Sequence, residues 1–311
     1  MNSEQLNPDI YVSTKELMRL QFKAHGFSFL PNQPVTSALN GKNVSKLRGR
    51  GLNFEELRHY RPGDDIRAMD WKVTQRTGKP HVKVFTEEKE RNIFIAVDQR
   101  SSMFFGSTHK MKSVVAAEIA SLIAWQVSQG GDRIGSLVFN DGLSKLIPAK
   151  RGKQQVIGIL SEITKQNHAL EAGITDENTS DSLIAMLKQL NQVVKHNALV
   201  ILISDGSGWN EQSTTLLKKI RQHNEIVTCR VFDPLEENLP QISQMVVSDG
   251  KSQIQFSASN TEIQQKFSDT IKQQIENYQT IMNKYRIPFF SIDTTKPATE
   301  QLQRALGKVS T

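Results

Sequence analysis

Cysteine is nearly absent from this 311-residue chain, which has only Cys229. A lone cysteine excludes an internal disulfide and a cysteine-based zinc site. Because Cys229 lies in the apolar run 226 to 232, which is typical of a strand, we interpret it as a buried structural thiol. No apolar run approaches the roughly 18 to 20 residues of a membrane-spanning helix, and the N-terminus lacks the basic and apolar regions of a signal peptide. We therefore expect a cytoplasmic protein without a membrane span.

Several enzyme motifs are also missing. No glycine-rich segment has the spacing of a phosphate-binding loop, and no serine has glycines two residues away on both sides, as a nucleophile elbow requires. The seven histidines include no pair at metal-ligand spacing. We therefore expect no enzymatic activity.

The net charge is +7, but few basic segments of the chain lack acidic residues. Most lysines and arginines alternate with acids, and the stretch Lys42 to Arg50 is the exception. Such a cluster could bind phosphate through counterion release. We interpret it as a solvated loop and do not expect a nucleic-acid partner.

Two short apolar runs, 93 to 97 and 198 to 203, are rich in β-branched residues and predict buried parallel strands. The first is followed by Asp98, Ser101 and Ser102, and the second by Ser204, Asp205 and Ser207. Ligands of open α/β sheets bind outside the carboxyl ends of the strands. We therefore expect one oxygen-rich crevice that contains both aspartates.

Strands alternate with helices of ten or more residues from about residue 92 onward, which predicts an α/β fold with a doubly wound, mostly parallel sheet. We assign residues 92 to 311 to this domain and residues 1 to 91 to a smaller N-terminal extension that contains β structure. The predicted strands are 81 to 87, 93 to 98, 134 to 140, 143 to 148, 198 to 204, 226 to 232 and 288 to 292, and a short hairpin is predicted over 245 to 256. The predicted helices are 13 to 24, 110 to 129, 154 to 164, 183 to 195, 212 to 222, 262 to 285 and 299 to 306.

The segment 57 to 71, Leu-Arg-His-Tyr-Arg-Pro-Gly-Asp-Asp-Ile-Arg-Ala-Met-Asp-Trp, is charged and aromatic around a Pro62-Gly63 turn. Asp64, Asp65 and Asp70 could be catalytic carboxylates, but the nearby arginines favour ion pairs. This segment resembles the signature of the bacterial DUF58 family, and the stretches 131 to 135 and 203 to 205 resemble its later motifs. The family joins this signature to a domain similar to von Willebrand factor A.

The loop after Asp98 also resembles the metal-ion-dependent adhesion site of von Willebrand A domains, whose first motif is Asp-x-Ser-x-Ser. The resemblance implies Asp98, Ser102 and Asp205 as metal ligands, with Thr179 as the middle-loop threonine and Ser180 and Ser182 as alternatives. Position 100 departs from the motif, because Arg100 has no lone pair to offer a metal.

Two states of this site stay open. An inward guanidinium could pair with Asp98 or Asp205 and stand in for the metal, with ~4 kcal/mol between unit charges about 4 Å apart at an effective dielectric near 20. Alternatively, Arg100 points to solvent and Ser101 or water completes the coordination. We therefore expect either no cofactor or a weakly bound Mg²⁺. Arg100, Ser101 and Ser207 are the predicted partner-binding residues, with Arg100 gripping a partner's carboxylate.

The resemblance to DUF58 implies association with a MoxR-type AAA+ ATPase. Our leading hypothesis is a cytoplasmic adaptor with a degenerate adhesion site that helps to assemble or activate a protein complex. The alternative is a metal-dependent phosphoryl or ester hydrolase that uses Asp98, Asp205 and Asp70.

Overall fold

The computed structural model of the chain describes residues 7–27, 52–87, 92–171, 179–237, 244–248, 253–257 and 261–306. Its helices are α1 (Thr14–Arg19), α2 (Trp71–Thr77), α3 (Lys112–Gln129), α4 (Lys153–Asn167), α5 (Thr179–Val193), α6 (Glu211–Arg221), α7 (Pro234–Glu237), α8 (Thr261–Lys284) and α9 (Ala298–Leu306). Its strands are β1 (Leu52–His59), β2 (His81–Glu87), β3 (Asn92–Asp98), β4 (Arg133–Phe139), β5 (Ser144–Lys150), β6 (Ala198–Ser204), β7 (Glu225–Phe232), β8 (Gln244–Ser248), β9 (Gln253–Ser257) and β10 (Phe289–Asp293). None of the helices in these ranges combines the length and the apolar composition needed to cross a bilayer.

A six-stranded sheet forms the centre of the larger unit, in the order β10-β7-β6-β3-β4-β5. Every neighbouring pair is parallel except β4 and β5, which form an antiparallel hairpin. β6 is buried along its whole length, and β3 and β4 are buried except for their first residues. This burial explains their continuous apolar sequences. The predicted doubly wound α/β fold is confirmed.

Helices pack against both faces of the sheet. One core contains buried residues of α1, α3, α4 and α9, and the other contains buried residues of α5, α6 and α8. α3 is buried almost all round because it lies between the sheet and the helices outside it. The buried thiol of Cys229, on β7, belongs to the first core, as predicted from its strand-like neighbours.

The strand order places the candidate site. After β3 the chain first adds β4 on one side of β3 and later adds β6 on its other side. The direction in which strands are added therefore reverses between β3 and β6. Asn92 to Val97 pair in parallel register with Ala198 to Ile203. The loops that leave β3 and β6 therefore begin side by side at the carboxyl edge, where open α/β sheets form crevices.

The predicted extension 1 to 91 is divided in the structure. Residues up to Phe29 group with the larger unit, and Leu30–Glu90 form the smaller one. The indole of Trp125 and the hydroxyl of Ser121 both donate hydrogen bonds to the carbonyl of Leu17, at 3.3 and 2.7 Å. Assigning all of residues 1 to 91 to one extension was therefore wrong, because α1 buries Leu17 against α3 and α4.

The smaller unit contains the antiparallel pair β1 and β2, whose connection includes the short helix α2. β2 was predicted, whereas β1 and α2 were not. Asp70 caps the start of α2 by accepting from the backbone of Lys72 and Val73, and Gly78 ends it in a left-handed conformation with φ 69°. The predicted basic stretch Lys42 to Arg50 lies outside the described residues.

Candidate functional site

Asp98, the last residue of β3, is completely buried together with Arg100. The side chain of Arg100 turns inward: its Nη2 lies 2.6 Å from Oδ2 of Asp98, and its Nε lies 2.9 Å from Oδ1. The backbone amide of Arg100 donates to Oδ1 at 3.0 Å, and the hydroxyl of Ser204 donates to Oδ2 at 2.7 Å. Both oxygens of the Asp98 carboxylate are thus engaged by donors from the chain itself.

Asp205 lies beside this pair at the end of β6 and is held by a second buried cation. Lys112, the first residue of α3, places its Nζ 3.1 Å from Oδ2 of Asp205 and 2.5 Å from Oε1 of Glu236. Nη2 of Arg100 is 3.7 Å from Oδ1 of Asp205, and the backbone amide of Ser207 donates to that same oxygen at 2.8 Å. Lys112 is 2% exposed and Arg100 is fully buried. The two aspartates therefore meet in one cluster, as predicted, with two cations between and beside them.

Each charged group of this cluster stabilises the charged form of its neighbours. Burial alone would raise the pKa of Asp205, but the Lys112 ammonium and the Arg100 guanidinium outweigh it and lower that pKa to about 2. Burial would lower the pKa of Lys112, yet Asp205 and Glu236 more than offset it, and the pKa is raised. The pKa of Arg100 is also raised, because Asp98, Asp205 and Asp141 overcome the cost of burial. Both cations and Asp205 are therefore charged at neutral pH.

The donor set can be tested against the Mg²⁺ ion that an adhesion site would hold. Mg²⁺ requires oxygen ligands with free lone pairs in octahedral geometry. The oxygens of Asp98 already accept from Arg100 and Ser204, while those of Asp205 face Lys112 and the amide of Ser207. Across the described ranges, no group of three or more His, Cys, Asp or Glu residues is arranged to hold a metal. In this conformation the residues do not fit the ion.

One predicted ligand does retain an unused oxygen. The hydroxyl of Ser102 is buried without a hydrogen-bond partner, as is Oδ1 of Asp141 in the β4–β5 turn. The other oxygen of Asp141 accepts from the backbone amide of Ser101 at 2.7 Å, and burial raises the pKa of this carboxyl. These are one neutral hydroxyl and one carboxylate oxygen, fewer than the set of oxygen ligands that a divalent ion needs.

The predicted middle-loop ligand lies at a helix start. α5 begins at Thr179, so Thr179, Ser180 and Ser182 occupy its first turn, and the side chain of Thr179 is outside the described part of the chain. The hydrogen bonds to Asp98 come instead from Arg100 and Ser204.

The predicted partner-binding residues differ in exposure. Arg100 is buried with its guanidinium against Asp98 and 5.4 Å from the ring centroid of Phe139, so a partner's carboxylate does not reach it. The structure therefore does not place Arg100 for the direct partner binding that was predicted. Ser101 and Ser207 are half-buried and lie at the surface above the cluster.

A known protein family matches most of this chain. The family model described as "Protein of unknown function DUF58" matches residues 56–277, which is more than half of the chain. The chain belongs to the DUF58 family. Among curated relatives, an uncharacterized protein of Mycobacterium tuberculosis is 30% identical over 223 residues, covering 71% of this chain and 67% of the relative. The uncharacterized protein YeaD of Bacillus subtilis is 32% identical over 79 residues, or 25% of this chain and 19% of YeaD.

Solved structures similar to this DUF58 chain have low identity. BatB from Bacteroides thetaiotaomicron is 13% identical with a TM-score of 0.41, covering 69% of this chain and 96% of BatB. A von Willebrand factor type A protein from Catenulispora acidiphila is 14% identical with a TM-score of 0.33, covering 49% of this chain and 35% of that one.

A further buried carboxylate at the same edge, that of Asp233, was not predicted from the sequence. Asp233, after β7, accepts from the backbone and hydroxyl of Ser107 at 2.8 and 2.6 Å, and from the hydroxyl of Thr294 at 2.6 Å. Its backbone amide donates to Glu236, which also binds Lys112. The strand 226 to 232 ending at an aspartate was the available signal. Asp233 thus connects the loop after β3 to β7 and to the turn after β10.

A polar chain also joins the N-terminal segment to the loop after β3. The side-chain amide of Gln99 accepts from Asn167 at 3.0 Å and donates to the carbonyl of Ser113 at 3.0 Å. Asn167 in turn accepts from the backbone amide of Val12 at 2.9 Å. Gln99 and Asn167 are both fully buried. Their hydrogen bonds therefore hold the loop that follows β3 against the end of α4.

In the smaller unit, the three aspartates of the signature have structural partners. Asp64 forms a two-bond ion pair with Arg58, Asp70 pairs with Lys83 at 3.0 Å, and Asp65 caps the turn at Ile66–Ala68. The expectation of ion pairs is confirmed for Asp64 and Asp70, although Asp70 pairs with a lysine. Hydrogen bonds and the neighbouring cations lower the pKa of both carboxyls.

Proposed function

We propose that this DUF58 chain is a non-enzymatic adaptor that works in the cytoplasm with a MoxR-type AAA+ ATPase to assemble or activate a protein complex. Membership in DUF58 supports this partner class. Since the proposed partner uses ATP, a cytoplasmic location belongs to the same proposal.

The observation that carries the proposal is a pair of loops at the carboxyl edge of the sheet that are joined by buried ion pairs. Arg100 holds the ends of β3 and β6 together from inside, while outer side chains of the two loops remain at the surface. We call this surface the rim and define it as residues 101 to 110 and 205 to 210. Ser107, Thr108, His109 and Asn210 of the rim are exposed. A preorganised surface costs little ordering entropy when a partner binds.

The chemistry of the rim suits recognition better than hydrolysis. Asp98 and Asp205, which the hydrolase hypothesis needs, are saturated by Arg100, Lys112 and backbone or hydroxyl donors. Asp70, the third candidate, is bound to Lys83 and caps α2. A general base or a metal ligand needs an accessible lone pair, and these carboxylates direct theirs to the chain itself.

Binding of the purified full chain to a MoxR-type ATPase of the same organism tests the proposal. Binding would be measured by calorimetry without nucleotide, with ADP and with a non-hydrolysable ATP analogue. Ser207→Arg and Thr108→Arg place a long cation on the rim, and we expect each to weaken binding by at least about tenfold.

Gln222→Arg is the matched control. Gln222 is exposed beyond the C-terminus of α6, at the opposite edge of the sheet, and the substitution adds the same side chain there. It should leave binding unchanged. Absence of ATPase binding in every nucleotide state, or equal effects of the rim and control variants, would refute the proposal.

A further inference from the structure

We infer that Arg100 and Lys112, which we call the cation pair, replace the divalent ion of an adhesion site with two covalently attached charges. The crevice would then be permanently closed and independent of metal. Lys112 is essential to this inference, because Arg100 alone neutralises only one of the two aspartates.

The charge balance supports the replacement. Asp98 and Asp205 together carry two negative charges, and a divalent ion between them would supply two positive ones. Arg100 and Lys112 supply the same total, at 2.6 Å from Asp98 and 3.1 Å from Asp205. Glu236 adds a further carboxylate to Lys112 at a more exposed position, with 27% of its side chain accessible.

The placement of the pair makes displacement by an ion costly. Phe139 lies 5.4 Å below the Arg100 guanidinium, and the ring of Phe105 lies 6.0 Å from the Lys112 ammonium. An entering Mg²⁺ would have to displace two cations that are covalently attached to the chain and that both lie within 4 Å of Asp205.

The test uses the protein alone, so its outcome does not depend on any partner or on the proposed adaptor role. The proteins are the native chain, Arg100→Ser, Lys112→Met and the double variant. Each is titrated with Mn²⁺ by calorimetry and melted with and without 10 mM Mg²⁺.

The native chain should show no saturable Mn²⁺ binding and a Mg²⁺-induced shift in Tm below about 1 °C. Each single variant should lower Tm by about 10 °C, because it leaves a buried carboxylate without its cation. The double variant frees both aspartates, and its Arg100→Ser change adds a hydroxyl ligand to that of Ser102. Mg²⁺ should raise its Tm by at least about 5 °C.

Lys110→Met is the control, since Lys110 lies two residues before Lys112 and forms a partly exposed pair with Glu118. It makes the same substitution without opening the site, and we expect neither a Mg²⁺ response nor a large loss of Tm. If the double variant is recovered unfolded, refolding with 10 mM Mg²⁺ against refolding with EDTA gives the same readout. Saturable Mg²⁺ or Mn²⁺ binding by the native chain at submillimolar concentration, or a double variant that never responds to Mg²⁺, would overturn the inference.

Discussion

Two ion pairs in this molecule have nearly the same length and very different surroundings. In the larger unit, Arg100 and Asp98 are 2.6 Å apart with neither side chain exposed. In the smaller unit, Arg58 and Asp64 are 2.7 Å apart with 33% and 15% of their side chains exposed. Distance alone would rank the pairs as equals. Burial separates them, because solvent screens the second pair and not the first.

The comparison explains what each pair does. A partly exposed pair adds little to the free energy of unfolding, since water solvates the separated charges almost as well. A buried pair is not strongly favourable in itself, but removing one partner leaves a charge in a place with no solvent. We therefore interpret the Asp98 cluster as the interaction that fixes how the ends of β3 and β6 meet. The Asp64 pair stabilises only the local turn at Pro62-Gly63.

The largest expected effect is that of Asp98→Ala. Removing this carboxylate leaves the buried guanidinium of Arg100 without its main partner, and we expect a loss of about 3 to 5 kcal/mol in the free energy of unfolding. Urea denaturation followed by circular dichroism measures it. The double variant Asp98→Ala/Arg100→Met removes both charges and should be more stable than Asp98→Ala. Equal losses in the two variants would mean that the uncompensated charge is not the cause.

A smaller effect is expected from acid. The pKa of Asp205 is about 2 in the folded protein, below the value of about 3.9 in an unfolded chain. A carboxyl with a lowered folded pKa stabilises above the unfolded pKa, and this contribution is lost as the pH falls from about 4 through 2. It amounts to about 2 to 3 kcal/mol. Asp205→Asn should flatten the stability profile in that window, and an unchanged slope would contradict the assignment.

The location of the Asp98 cluster could be predicted from the sequence. Apolar runs ending in Asp98 and Asp205 predict buried parallel strands, and the carboxyl ends of such strands share one edge. The identity of the second cation could not be read in the same way. Lys112 follows Lys110 at the start of a helix, and nothing in its neighbours distinguishes a buried lysine from a solvated one. Its burial depends on residues far along the chain, Asp205 and Glu236.

Two elements of the smaller unit, β1 and α2, were not predicted from the sequence, and the reasons are local. β1 has a bulge between Phe54 and Glu56, and the extra residue breaks the alternation that identifies a half-buried strand. α2 is only seven residues long, so it has too few turns for a helical period. Its capping residues, Asp70 and Gly78, were the available signal.

The smallest expected effect is that of Asp64→Ala, which completes the comparison from the exposed side. The Arg58 guanidinium that remains is partly solvated, so we expect the melting temperature to stay within about 2 °C of the native value. Raising NaCl from 0.1 to 1 M should reduce even this difference, since the screening length falls from about 10 to 3 Å. The same salt should leave the Asp98→Ala deficit unchanged, because ions do not reach a fully buried pair. Melting curves of the three proteins at both salt concentrations measure the contrast, and an Asp64→Ala deficit that equals that of Asp98→Ala would show that burial does not separate the two pairs.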